Sequence, residues 1–265
     1  MDREPWVAGR FYPAEPARLR AEVEALLGAR EAPPRPAAGI LSPHAGYQFS
    51  GKVAGATWAR VAVPARVVLL CPNHTGLGAR IALWPDGSWR TPLGALPVDE
   101  ALTRDLLASG AVEADPEAHR REHALEVQLP FLQAVRPDAS IAALCLGPLS
   151  LARCRSLGRA VAAAARAHGA LLVASSDMSH YVPAEVARRK DRMALERVEA
   201  LDDRGLHEVV EREDISMCGY VPATVMLAAA RELGASAGAL VLYRTSGDVT
   251  GDDSSVVGYA GAVIA

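Results

Sequence analysis

Val67-Val68-Leu69-Leu70-Cys71-Pro72-Asn73-His74 is the stretch from which the fold can be read. Its five leading residues form an unbroken apolar run of strand length, the pattern of a strand buried on both faces. Pro72-Asn73 stops the run and delivers His74 at its carboxyl end. The same grammar recurs along the chain. Residues 38–41 are apolar and end at Ser42-Pro43-His44, and residues 171–174 end at Ser175-Ser176-Asp177-Met178-Ser179-His180. A further run, 141–146, is stopped by Gly147-Pro148.

Helical patterns lie between these runs. Residues 16–28 carry Leu19, Val23, Leu26 and Leu27 at helical spacing, and further helices are expected over 52–60, 99–108, 123–135 and 151–168. Strands alternating with helices imply an α/β fold with a mainly parallel sheet flanked by helices on both faces. Residues 81–89 read as a β-hairpin turning at Asp86-Gly87. Residues 239–243 and 256–264 read as two closing strands around a polar loop. A proline-rich linker is expected at 31–36, and no composition shift divides the chain, so residues 1–265 are expected to form a single domain.

Composition narrows the class. Half the residues are hydrophobic, 22% are charged, and the net charge of -3 is spread without a basic block, so neither nucleic acid nor membrane is an expected partner. The opening Met1-Asp2-Arg3-Glu4-Pro5 lacks the basic-then-apolar pattern of a signal peptide, and no apolar run reaches membrane-spanning length. Cys71, Cys145, Cys154 and Cys218 are scattered, with no CxxC pair. Reduced thiols in a cytoplasmic chain are the expectation.

Ligands of open parallel sheets bind beyond the carboxyl ends of the strands. Three of the runs deliver a histidine there: His44, His74 and His180. One such histidine suits a structural role, but three at equivalent positions point to a metal-type site, because neutral imidazole binds zinc, iron and copper. Asp177 shares the loop of His180; it reads equally as a turn residue or as a partner that fixes a tautomer and moves a proton.

Glu122-His123-Ala124-Leu125-Glu126-Val127-Gln128-Leu129-Pro130 is a second constellation. On a helix, Glu122 and Glu126 are i,i+4 neighbours, with a kink expected at Pro130. Glu122, His123 and Glu126 are expected to border the metal site and orient its ligands; the alternative is a solvated helix face. Cys218 directly precedes a helical pattern through Val225, Leu227 and Leu233. At a helix N-terminus its thiol pKa is expected to be lowered, which suits a thiolate ligand or a nucleophile, with plain packing as the alternative.

These residues resemble the Memo family, whose prokaryotic members are called AmmeMemoRadiSam system protein B. The resemblance runs the length of the chain. Its blocks are Ala8-Gly9-Arg10-Phe11-Tyr12-Pro13, Pro43-His44-Ala45-Gly46-Tyr47, Pro72-Asn73-His74, Thr91-Pro92-Leu93-Gly94 and Glu122-His123-Ala124-Leu125-Glu126. Ser175-Ser176-Asp177-Met178-Ser179-His180, Cys218-Gly219 and Val257-Gly258-Tyr259-Ala260 complete the set. The family is similar in fold to class III extradiol dioxygenases, which hold Fe(II) with two histidines and a glutamate.

The resemblance implies that His44 and His74 are metal ligands, that Cys218 replaces the carboxylate, and that His180 with Asp177 stands near the acid/base position. A thiolate is softer than a carboxylate and itself oxidisable, so the dioxygenase reaction is not carried over with the site. Iron (Fe2+) or copper is the implied cofactor, with zinc as an alternative. The partner is an unidentified small molecule or peptide, with a functional link to radical SAM and AMMECR-type proteins. Three functions therefore stand side by side: a metal-dependent redox or dioxygenase-like enzyme, a non-catalytic peptide- or partner-binding protein, and a zinc or cysteine hydrolase.

Overall fold

The computed structural model describes residues 1–28 and 33–265; Glu31 and Ala32 of the expected linker lie outside the described residues. Strands run in chain order as β1 (Asp2–Arg3), β2 (Gly39–Ser42), β3 (Arg66–Pro72), β4 (Ile81–Leu83), β5 (Ser88–Thr91) and β6 (Gly94–Pro97). Then follow β7 (Glu113–Ala114), β8 (Ser140–Leu146), β9 (Leu171–Ser175), β10 (His180–Val182), β11 (Gly238–Thr245) and β12 (Val256–Ile264). Nine of them form one sheet in the order β10-β12-β2-β9-β3-β8-β4-β7, with β11 also paired to β12. Its centre, β2-β9-β3-β8, is parallel, and antiparallel strands close both flanks.

The parallel centre is buried on both sides because its strands are apolar except at an end residue, as in β3 from Val67 to Pro72 and β8 from Ile141 to Leu146. Val68 and Leu70 of β3 face one core with Leu157 and Val225. Val67, Leu69 and Cys71 face the other, with Leu19, Trp58 and Phe131. Helix Leu151–His168 matches the expected span, capped by Ser150, whose side chain accepts the Arg153 N–H, and stopped at Gly169 in the left-handed region. Helices Pro16–Leu27 and Glu100–Ala108 also lie where the periodicity placed them. Helix Tyr47–Trp58 begins earlier than expected, immediately after the His44 loop. Helices Ala184–Glu199 and Asp203–Arg212 add to the first face and had not been foreseen. No helix among the described residues is long and apolar enough to cross a membrane.

Two local expectations are corrected. Residues 81–89 do not form a hairpin: β4 pairs with β8 and β7, whereas β5 joins β1 and β6 in a separate three-stranded sheet. The chain does turn at Gly87, where φ is 81°, but the N-terminal strand supplies the pairing partner of β5. Residues 123–135 are not one helix. A short 3-10 turn, Glu126–Gln128, leads into helix Leu129–Val135. Pro130 sits in the first turn of that helix, where a missing N–H leaves no bond unmade, so it starts the helix and kinks nothing.

The sheet order positions the site. β9 lies between β2 and β3, so the loops after Ser42, Ser175 and Pro72 emerge side by side at one edge. They carry His44, Asp177 and His74 respectively.

Candidate metal centre

His44 is buried, and each polar atom of its backbone N–H and ring has one partner. Its main-chain N–H donates to Asp177 Oδ1 at 2.7 Å, its Nδ1 lies 2.9 Å from Ser175 Oγ, and its Nε2 lies 3.2 Å from Cys218 Sγ. The tautomer follows from the hydroxyl. Ser175 O–H donates to the Ala124 carbonyl at 2.7 Å and accepts from Gln128 Nε2 at 3.0 Å, so toward His44 it is an acceptor. The imidazole proton therefore sits on Nδ1, and Nε2 presents its lone pair to the sulfur side. Gln128 is itself fixed, accepting from Trp58 Nε1 at 3.0 Å and donating to the Pro43 carbonyl at 2.8 Å.

His74 is set the same way by a different group. Glu122 is almost fully buried and accepts the His74 main-chain N–H at 2.7 Å and Nδ1–H at 2.9 Å. Its carboxylate also accepts the Ala124 N–H at 2.9 Å. Nδ1 is thus the donor and Nε2 again carries the free lone pair. Burial works against charge on both groups, but the hydrogen bond and opposite charge outweigh it: Glu122 is held down at about 2 and His74 is raised above 6.5. His44 lacks such a carboxylate, and burial together with the nearby His74 lowers it to about 3.

Cys218 reaches this group because of the residue after it. A Cβ at Gly219 would stand 2.3 Å from the Ser175 carbonyl oxygen and 2.5 Å from Ser176 Cβ, so only glycine lets the loop close on β9. Once closed, Gly219 N–H donates to Ser176 Oγ at 2.9 Å and Asp177 N–H points at Cys218 Sγ at 3.3 Å. Helix Tyr220–Glu232 begins just beyond, as expected. The expected fall in the thiol pKa is reversed: burial and the neighbouring Asp177 charge push the Cys218 thiol above its ordinary value.

Ligand atoms of His44, His74 and Cys218 all lie within 4.8 Å of one another. A tetrahedral site with metal–nitrogen bonds near 2.0 Å and metal–sulfur bonds near 2.3 Å places nitrogen and sulfur about 3.5 Å apart, and the 3.2 Å separation of His44 Nε2 and Cys218 Sγ is close to that. Two locked imidazole lone pairs and a convergent sulfur are a donor set that fits a transition metal.

The remaining expected residues divide. His123 faces the same cavity, its ring stacked on His74 at 4.9 Å and edge-on to His44 at 5.4 Å; burial and His44 lower it to about 4. His74, Glu122 and His123 form a second group with ligand atoms within 4.8 Å. His180 lines the cavity, but its Nδ1 donates to the Ser216 carbonyl at 2.9 Å, not to Asp177. Asp177 holds the His44 main chain and has no bond to His180, so the expected Asp–His proton pair is replaced by His180–Ser216.

Glu126 is set apart from the cluster. It is fully buried and accepts from Arg3 Nη1, Trp6 N–H and Val7 N–H, each at 2.8 Å, and from Tyr12 O–H at 2.7 Å. It seats the N-terminal segment, whose Phe11 ring packs 4.9 Å from His123. The residues not foreseen are Ser175, Gln128, Ser216 and Gly219. Each acts through a partner far away in sequence, although Gln128, Ser175 and Gly219 lie inside or beside the motifs that carry the family resemblance.

The cavity measures about 480 Å³, and Phe49, Tyr181 and Tyr259 join the imidazoles in its wall. Tyr181 is 79% exposed at its rim and adopts a left-handed backbone with φ 56°, a strained conformation for a residue other than glycine.

Comparison with known proteins agrees with this architecture. The family described as Memo-like protein matches residues 3–263. A MEMO1 family protein of Methanopyrus kandleri is 43% identical, with 99% of each chain covered. MEMO1 family proteins of Aquifex aeolicus (42% identical, 98% of each chain) and Methanothermobacter thermautotrophicus (39% identical, 98% of this chain and 99% of the relative) are similar over the same extent. Among solved structures, an uncharacterized Escherichia coli K12 protein superposes with a TM-score of 0.60 at 16% identity, covering 85% of this chain and 98% of that one, a likeness of fold alone. With a matching profile over nearly every residue and relatives aligned end to end, the chain belongs to the Memo-like protein family.

Proposed function

We propose that this protein is a metal-dependent redox protein in which His44, His74 and Cys218 hold iron or copper. The observation that carries the reading is the convergence of two imidazole Nε2 lone pairs on one thiol sulfur, with both imidazoles in the wall of a cavity large enough for a small molecule. Bound there, either metal would supply one-electron chemistry beside the cavity. The chain's own residues do the rest. Ser175 and Glu122 keep the two ligand rings in the tautomer that leaves Nε2 free. Asp177 fixes the His44 backbone, so ligand spacing is set before any metal arrives. His180, with Nδ1–H committed to the Ser216 carbonyl, keeps its Nε2 lone pair to accept a proton from an O–H or N–H group in the cavity.

A cysteine hydrolase is the weaker reading. The Cys218–His44 contact has the look of a nucleophile and its base, but His44 at about 3 is a poor base and burial holds the thiol neutral. The deciding experiment is metal analysis of untagged protein purified with and without reductant. Stoichiometric iron or copper supports the proposal, stoichiometric zinc favours a hydrolase, and no metal under any loading condition favours a partner-binding role.

A further inference from the structure

Trp6 is the one tryptophan of four that meets solvent: it is 45% exposed, whereas Trp58, Trp84 and Trp89 are fully buried. It is also rigidly presented. Its own N–H and that of Val7 donate to the buried Glu126 carboxylate, and Arg3 beneath them donates to the same group. Two guanidiniums lie over the exposed indole, Arg10 at 5.4 Å and Arg121 at 5.7 Å from the ring centre. Arg10 is further fixed by donating to the Trp6 carbonyl at 2.6 Å. Nearby Arg3, Arg90 and Arg120 each have a carboxylate partner. Among the described residues, Arg10 and Arg121 have none within ion-pair distance.

The geometry points to this Arg–Trp–Arg stack as a docking point for an acidic segment of a partner protein, at the rim of the imidazole cavity. Arg10 lines that cavity, and Arg121 directly precedes Glu122, so an occupant of the stack sits beside the opening. Planar guanidiniums held against an indole keep several N–H donors free in the fork that matches a carboxylate. A rigid Trp flanked by Arg has the composition of an interface anchor. A small molecule is a poor fit, because the stack is an open surface and small ligands need most of their area enclosed. Nucleic acid is disfavoured: tight backbone binding neutralises about 6–10 phosphates, whereas the stack offers only the guanidiniums of Arg10 and Arg121.

The test uses the intact protein and a hexaglutamate peptide at low ionic strength, read by tryptophan emission. The buried indoles are shielded, so a saturable change reports Trp6, and Trp6→Phe abolishes it. Arg10→Gln and Arg121→Gln each weaken binding by about threefold to fivefold, the double variant by about tenfold, and Arg10→Lys restores part of the loss. Both side chains are exposed, so the variants keep the fold, checked by circular dichroism. Equal response to hexalysine, an equal response to free glutamate, tighter binding of oligothymidylate, or unchanged affinity in the double variant would each overturn the proposal. Metal content is measured in parallel, and because neither arginine touches the donor set it stays at the wild-type value.

Discussion

Ser175 and Glu122 do one job by different chemistry, and the difference sets what each substitution removes. Ser175 is a neutral acceptor that orients His44, while Glu122 orients His74 and adds a charge. Losing such a partner typically costs about 10–100-fold in metal affinity. Ser175→Ala and Glu122→Gln should each weaken cobalt(II) binding by about that factor, measured by competition against a chelator; affinity unchanged in both would remove the tautomer argument. Glu122 also makes stability depend on pH. Its lowered pKa contributes stability that is full above its ordinary 4.5 and lost as pH falls toward about 2. The raised pKa of His74 contributes stability that is full below its ordinary 6.5 and lost as pH rises through the folded value. The stability gap between metal-free wild type and Glu122→Gln should therefore be widest between about 4.5 and 6.5, as read by urea denaturation across pH. A gap flat across pH would deny the ion pair. His44 at about 3 and His123 at about 4 titrate below that window, and losing the Glu122 charge lowers them further, so they leave its position unchanged.

At the scale of the element, the sequence predicts one helix over 123–135, with Glu122 and Glu126 as i,i+4 neighbours that either border the metal or face solvent. The chain instead turns at Glu122, tightens into Glu126–Gln128 and sends the two carboxylates to opposite tasks. Spacing along a sequence fixes a shared face only where the backbone is regular, and nothing within the segment announces that Arg3 will arrive from 123 positions away. The consequence is a clean separation of phenotypes. Truncating one member of a buried ion pair strands the other, a loss of about 3–5 kcal/mol. Glu126→Ala should lower unfolding free energy by about that amount while any folded fraction binds cobalt(II) with near wild-type affinity. Glu122→Gln should instead lower metal affinity, together with the pH-dependent loss of stability argued above. If Glu126→Ala weakens metal binding as much as Glu122→Gln does, the N-terminal segment supports the ligands directly.

For the whole molecule, the centre of the sheet was legible because β3 is unbroken apolar sequence from Val67 to Pro72, a pattern that only two covering helix layers satisfy. Its histidines were legible because each follows a strand stop directly. The flanking strands, the three-stranded sheet and the seating of residues 3–12 were not, since they depend on pairings between distant segments. Cys218 shows the same division: its place beside His44 could be read, but its electrostatics could not, because a helix start lowers a thiol pKa only if burial does not outweigh it. In the metal-free protein Cys218 should still be alkylated first, for a reason of access: it is partly exposed, while Cys71, Cys145 and Cys154 are fully buried. Its labelling rate should climb steadily with pH from neutrality toward and beyond 9.0, without the early plateau of an activated thiolate, because burial raises the thiol above that ordinary value. Loading the site with iron or copper should suppress labelling at Cys218 and leave the buried cysteines as slow as before. Peptide mass spectrometry at each cysteine, across pH and with and without metal, reads all of this at once. A plateau near neutral pH would mean the thiol is ionised in the resting protein and restore the nucleophile; labelling indifferent to metal would separate Cys218 from the ligand set.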